Sequence, residues 1–217
     1  MLRVDMAVDR THSSASHHGG PRQASHAHDN LPRQERPMTK PGTSYRLTPA
    51  EGGRLALAVH EAAHALVGVL CGGTVERATL TEDGTDGTCD FTADSFAHDR
   101  TRYHRALVAA AGPAAAAIFA HNDAPTAREL DAQLGAADRE ELRLAALHSY
   151  SSSDEQLWEA LPAVRRHWRA IGTLAAQMFA GHEIDHDDVL AALGVTDGGG
   201  PGSVELAAIR DGGATPR

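Results

Sequence analysis

Cysteine is scarce: Cys71 and Cys89 are the only two in 217 residues. Two thiols build no disulfide framework, and 18 positions apart they form no CxxC metal pair. A reduced, cytoplasmic setting is therefore expected. Aromatic residues make up only 4% of a chain that is 41% hydrophobic, a globular composition with few large side chains. Basic residues are in the minority. Twenty Lys and Arg against 29 Asp and Glu leave a formal net charge of −9, which excludes a basic footprint for nucleic acid. Long apolar runs are missing. No stretch has about 18 uninterrupted apolar residues, so no membrane span is expected. Residues 55–70 come closest, but they contain His60, Glu61 and His64. The N-terminus has no apolar core of signal-peptide type. No GxxxxGK[ST] occurs, which excludes a P-loop ATPase within this sequence.

What is present is the run His60-Glu61-Ala62-Ala63-His64, an HExxH pattern set in an apolar stretch. On a helix, positions i and i+4 project from one face, so the two imidazoles can hold one Zn²⁺ between them. Glu61 flanks that face, placed to take a proton from a water on the metal. The flanks, Leu55-Ala56-Leu57-Ala58-Val59 and Ala65-Leu66-Val67-Gly68-Val69-Leu70, are apolar on most faces and imply a buried helix. Two His and a Glu are costly in such a helix unless they are paired or bind metal.

The rest of the chain organises around this helix. Residues 1–44, rich in Ser, His, Gly, Pro and Arg, show no apolar period and are expected to be a disordered tail. Its histidines, His12, His17, His18, His26 and His28, read as filler rather than as a metal site, and Met38 offers an alternative start. Thr48-Pro49-Ala50-Glu51 is a capping box that opens the zinc helix, and Gly72-Gly73 closes it. Two β-type runs, 75–81 and 88–92, flank Asp83-Gly84 and Asp86-Gly87 and predict a hairpin. A second helix is expected over 99–120, interrupted at Gly112-Pro113. A third covers 126–148 with a break at Gly135. A fourth covers 154–179 with a bend at Pro162, and Trp158 and Trp168 are expected as core anchors. Asp185 caps a last helix through Leu193, and the Gly-rich remainder, 194–217, is expected to be flexible. Cys71, near the end of the zinc helix, reads as a small buried apolar residue. The expected fold is mainly α: a compact helical zinc-peptidase domain, 45–193, with one small β-hairpin.

A catalytic zinc takes three protein ligands and leaves one position for water. HExxH supplies two. The extended form HExxHxxGxxH is excluded, because Val67 and Leu70 stand where it requires Gly and His. The third ligand is therefore acidic and comes from elsewhere. The residues alone leave Glu82, Glu129, Asp131, Asp138, Glu140 and Glu141 open.

The stretch Ala58-Val59-His60-Glu61-Ala62-Ala63-His64-Ala65-Leu66-Val67-Gly68 resembles the zinc helix of the FtsH family's peptidase domain. Ala78-Thr79-Leu80-Thr81 with Gly84 and Gly87 resembles its strand and hairpin, and Leu107-Val108-Ala109-Ala110-Ala111-Gly112-Pro113-Ala114-Ala115 its second helix. Gly135-Ala136-Ala137-Asp138, followed by Leu142 and Ala145-Ala146, resembles the segment that carries the family's aspartate ligand. The resemblance spans about residues 45–190. It implies a zinc metallopeptidase in which His60, His64 and Asp138 bind zinc and Glu61 is the general base. Ala63 replaces a usual Gly and Ala116 a usual Glu. The Asp138 segment is one residue short, which keeps Asp131 and Glu129 as alternatives. The family's ATPase module and membrane anchor have no counterpart here. ATP-driven processive degradation is thus not implied, and a separate ATPase is a candidate partner beside the peptide or protein substrate. The competing reading is a non-catalytic, peptidase-like binding or regulatory protein. A purely structural zinc ranks last, since structural sites have four ligands, often Cys.

Overall fold

The computed structural model describes residues 46–97, 102–122, 124–148, 152–200 and 202–212. The expected His-rich tail, 1–44, lies outside them, as does the expected helix start at Asp99. The described elements belong to the unit Thr48–Arg217. In chain order they are α1 (Pro49–Leu70), β1 (Val75–Leu80), β2 (Gly87–Phe91), α2 (Tyr103–His121), α3 (Ala127–Asp131), α4 (Ala136–Ala146), α5 (Ser153–Arg166), α6 (Trp168–Phe179), α7 (His186–Leu193) and α8 (Val204–Arg210). The architecture is mainly α with one two-stranded antiparallel hairpin, as the sequence predicts.

α1 is the centre of the domain. Its capping box forms as expected: the Thr48 hydroxyl accepts from the Glu51 N–H at 3.2 Å, and the Glu51 carboxylate accepts from the Thr48 N–H at 2.7 Å. From Ala58 to Val69 it is buried almost throughout, against α2 on one side and α6 on another. Among the described residues α1 alone has the length and apolarity to cross a bilayer, and 61% of its apolar window is buried inside the domain. The main core combines Leu66 of α1 with Leu142, Leu161, Ile171, Leu174 and Met178 from the later helices.

The hairpin lies against α1. Gly68 is required there, because a Cβ at that position would sit 2.2 Å from the Phe91 ring. Gly68→Ala is expected to destabilise the fold by about 1–3 kcal/mol through overpacking. Gly172→Ala, whose Cβ meets nothing within 4 Å, should be neutral or stabilising. Thermal unfolding of the two variants checks the contrast.

Four expectations are corrected. α2 runs through Gly112-Pro113 without a break. Pro113 deprives only the Ala109 carbonyl of its helical partner, and burial of the surrounding alanines outweighs that loss. The expected fourth helix is two: Pro162 sits inside α5, and the chain breaks at His167 (φ −106°, ψ 17°) before α6. Trp158 is no core anchor: it is 45% exposed. The buried stripe of α5 is Leu157, Ala160, Leu161 and Val164, and Trp158 lies off it. Trp168 does pack against the core, as does Cys71, although both are only partly buried. Finally, the region after Gly194 contains α8, whose Leu206 and Ile209 are buried. The Arg210 guanidinium donates to the Leu70 carbonyl and, at 3.3 Å, to that of Val69. α1 has no basic residue in its own last turn. Arg210 therefore supplies the cation that a helix C-terminus favours.

Candidate metal centre

His60 and His64 leave α1 on one face, one turn apart, as their spacing requires. Their Nε2 atoms lie 2.9 Å from each other. Asp138 reaches the same point from the first turn of α4. Its Oδ2 is 3.3 Å from His60 Nε2 and its Oδ1 is 3.3 Å from His64 Nε2. One ligand atom from each of the three lies within 4.8 Å of the others. Gly135 breaks the third helical region as expected, and it initiates α4. Asp138, three residues on, accepts a hydrogen bond from the Gly135 N–H at 3.2 Å. The positive end of the helix dipole also favours a carboxylate at this position.

Three of the other acidic candidates are engaged elsewhere. Glu129 caps α3 through Thr126 and pairs with His121. Asp131 pairs with Arg139 at 3.0 Å and Glu140 with Arg143 at 2.7 Å. Glu82 is exposed at the hairpin turn. Glu141 lines the same cleft as the three side chains, beside Arg105.

The outer surroundings orient the ligands. His64 Nδ1 donates to the Val108 carbonyl of α2 at 2.8 Å. That bond leaves Nε2 as the nitrogen that faces His60 and Asp138, the one whose lone pair a metal could take once its proton is released. Metal-binding histidines are held in this way almost without exception. Sequence reasoning did not find Val108, since a backbone acceptor has no side-chain signature. Two imidazole nitrogens and a carboxylate, converging on one point, fit the donor set of a catalytic zinc.

Electrostatics separates the groups. Burial lowers the His60 pKa, and the Asp138 hydrogen bond only partly offsets it. Burial also acts downward on His64. There the Asp138 hydrogen bond and charge, the Glu61 charge and the Val108 carbonyl together prevail and raise it. Burial acts upward on Asp138, but hydrogen bonds from both histidines hold its carboxyl well below the usual range. Glu61, 6% exposed, is pushed up to about 7 by burial, with His64 opposing and the charges of Asp138, Asp86 and Asp90 adding.

The centre opens into a cleft of about 1150 Å³ between α1, α2, the start of α4 and β2. Ala78 of β1 exchanges both backbone hydrogen bonds with Ile184, although Cys89 stands opposite it in the hairpin. The alternation of an antiparallel ladder then turns the N–H and C=O groups of Gly87 and Cys89 to the outer edge of β2. Among the described residues no strand covers that edge, and both residues line the cleft.

Comparison of the sequence with protein-family models and with curated proteins gives no match.

Proposed function

We propose that this domain is a zinc-dependent metallopeptidase, similar to the peptidase domain of the FtsH family. The observation that carries the reading is the meeting of His60, His64 and Asp138 at one point, with buried Glu61 beside them in an open cleft. Zinc held by those three residues would supply Lewis acidity, bringing the pKa of a water down to about 7. Glu61 accepts a proton from the attacking water at its carboxylate. Glu61 then returns that proton to the leaving amine as the C–N bond breaks. The open edge of β2 favours an extended peptide, which would pair with Cys89 and the Gly87 carbonyl as an added strand, the Gly87 N–H being held by Asp86 Oδ1 at 2.9 Å.

The alternative is a peptidase-like protein that binds without turnover. The burial of Glu61 favours the enzyme, because a carboxylate without a structural role is costly in such a place. In this reading α1 is a core helix rather than a membrane span, the setting is cytoplasmic, and a separate ATPase remains a candidate partner.

The test is zinc content together with peptide cleavage. The full chain is expected to carry about one tightly bound zinc. A chain starting at residue 45 should carry the same amount if the tail histidines are filler. Elemental analysis finding no zinc after supplementation would falsify the metal-site reading.

A further inference from the structure

We propose that Gly112 of α2 keeps the metal-binding imidazoles in place, its missing side chain leaving the room in which the two Nε2 atoms come together. The inference rests on the metallopeptidase reading above and assigns a positioning residue to it.

A Cβ built on Gly112 would lie 2.3 Å from His64 Nε2, 2.6 Å from His60 Nε2 and 2.7 Å from His60 Cδ2. All three nearest atoms belong to the imidazoles; none is backbone. A carbon that close to both nitrogens would push the imidazoles away from the point at which they meet Asp138.

The φ of Gly112 does not demand glycine, although Pro113 follows it and a Cβ before proline is disfavoured in a helix. Gly112 is not among the glycines with positive φ. It is flanked by Ala109-Ala110-Ala111 and Ala114-Ala115-Ala116-Ala117 in a fully buried stretch. Glycine inside a helix is unfavourable relative to alanine, so its presence needs a local reason. Gly68 and Gly87 make a contrast. A Cβ on Gly68 would strike the Phe91 ring, and one on Gly87 would strike the Glu61 Cγ and the Leu80 side chain. Those glycines relieve ordinary packing, whereas Gly112 faces the ligand nitrogens themselves.

His64 is poorly placed to yield. It is buried, and its Nδ1 is tied to the Val108 carbonyl. Val108 stands four residues before Gly112, on the same face of α2. One face of this helix therefore fixes one nitrogen of His64 and leaves room at the other.

The experiment uses the full chain and reads zinc affinity by chelator competition. Gly112→Ala is expected to weaken zinc binding by about 100-fold or more, at or beyond the upper end of what outer-shell changes cost. Gly172→Ala should keep the wild-type affinity. A second comparison removes the imidazoles. In a His60→Ala/His64→Ala background, the loss of stability caused by Gly112→Ala should shrink, because the collision with the imidazoles is gone while the crowding against Pro113 is the same in both backgrounds. A glycine required by packing alone would cost the same in both. A Gly112→Ala chain that binds zinc as tightly as wild type overturns the proposal and leaves the metallopeptidase reading standing. So does an equal cost in the two backgrounds. A wild-type chain that takes up no zinc overturns both.

Discussion

Glu61→Gln is expected to keep the zinc and the fold while lowering peptide hydrolysis by about 10²–10⁴-fold. The side chain is buried in the cleft wall, and Gly87 leaves room for it. A Cβ on Gly87 would come within 2.7 Å of the Glu61 Cγ. Glutamine keeps that shape. It also removes a carboxylate whose charged form burial disfavours, so stability should change little. Glu61 is not one of the three converging ligands, so zinc content should not change. The amide cannot take a proton from water, and turnover should fall accordingly. Cleavage of a fluorogenic peptide library, measured beside elemental analysis, reads both properties. Wild-type turnover in the variant removes Glu61 as the base. A wild-type chain that holds zinc and cleaves nothing across the library favours the binding protein instead.

The helices were legible where the signal is local. The capping box at Thr48, the hairpin glycines, Gly135 as a helix break and Asp185 as a cap all act within a few residues, and each stands where the sequence puts it. The misreadings share one cause. Pro113 reads as a helix interruption, because the local loss of a hydrogen bond is visible in sequence and the burial that compensates it is not. Trp158 was read as an anchor from its size, yet one position off the stripe of α5 leaves it in solvent. The region after Gly194 reads as loose from its glycines. Two apolar side chains and Arg210 still fasten a helix there, to the end of α1 some 140 positions earlier in the chain. The candidate site divides in the same way. His60 and His64 are one turn apart on one helix, so their meeting follows from spacing alone. Which acid joins them depends on where α2 and α5 hold α4, and no local pattern encodes that. The Val108 carbonyl and the opening at Gly112 likewise exist only once α2 is packed against α1.

Asp138→Asn is expected to weaken zinc binding by more than about 100-fold, beyond what changes outside the ligand set cost. Asp131→Asn, Glu129→Gln and Glu140→Gln should each leave it nearly unchanged. The asymmetry follows from position. Asp138 presents one oxygen to each histidine, both at 3.3 Å, with only 12% of its side chain exposed. Its remaining hydrogen bond is to the Gly135 N–H, which an asparagine oxygen can still accept. The start of α4 should therefore survive the substitution while the anionic ligand is lost. Asp131 and Glu140 instead meet arginines at the surface, where side chains in those pairs are more than half exposed. Solvent screens such pairs, and removing one changes little at a distance. Glu129 is spent on the cap of α3. Its loss should loosen that short helix without touching the metal. Chelator-competition titrations of the four variants, with circular dichroism to confirm that each is folded, separate the cases. A large loss in the Asp131 or Glu129 variant, with Asp138→Asn near wild type, would remove Asp138 from the ligand set. Four unaffected variants would instead turn attention to Glu82 or Glu141, of which only Glu141 lines the cleft.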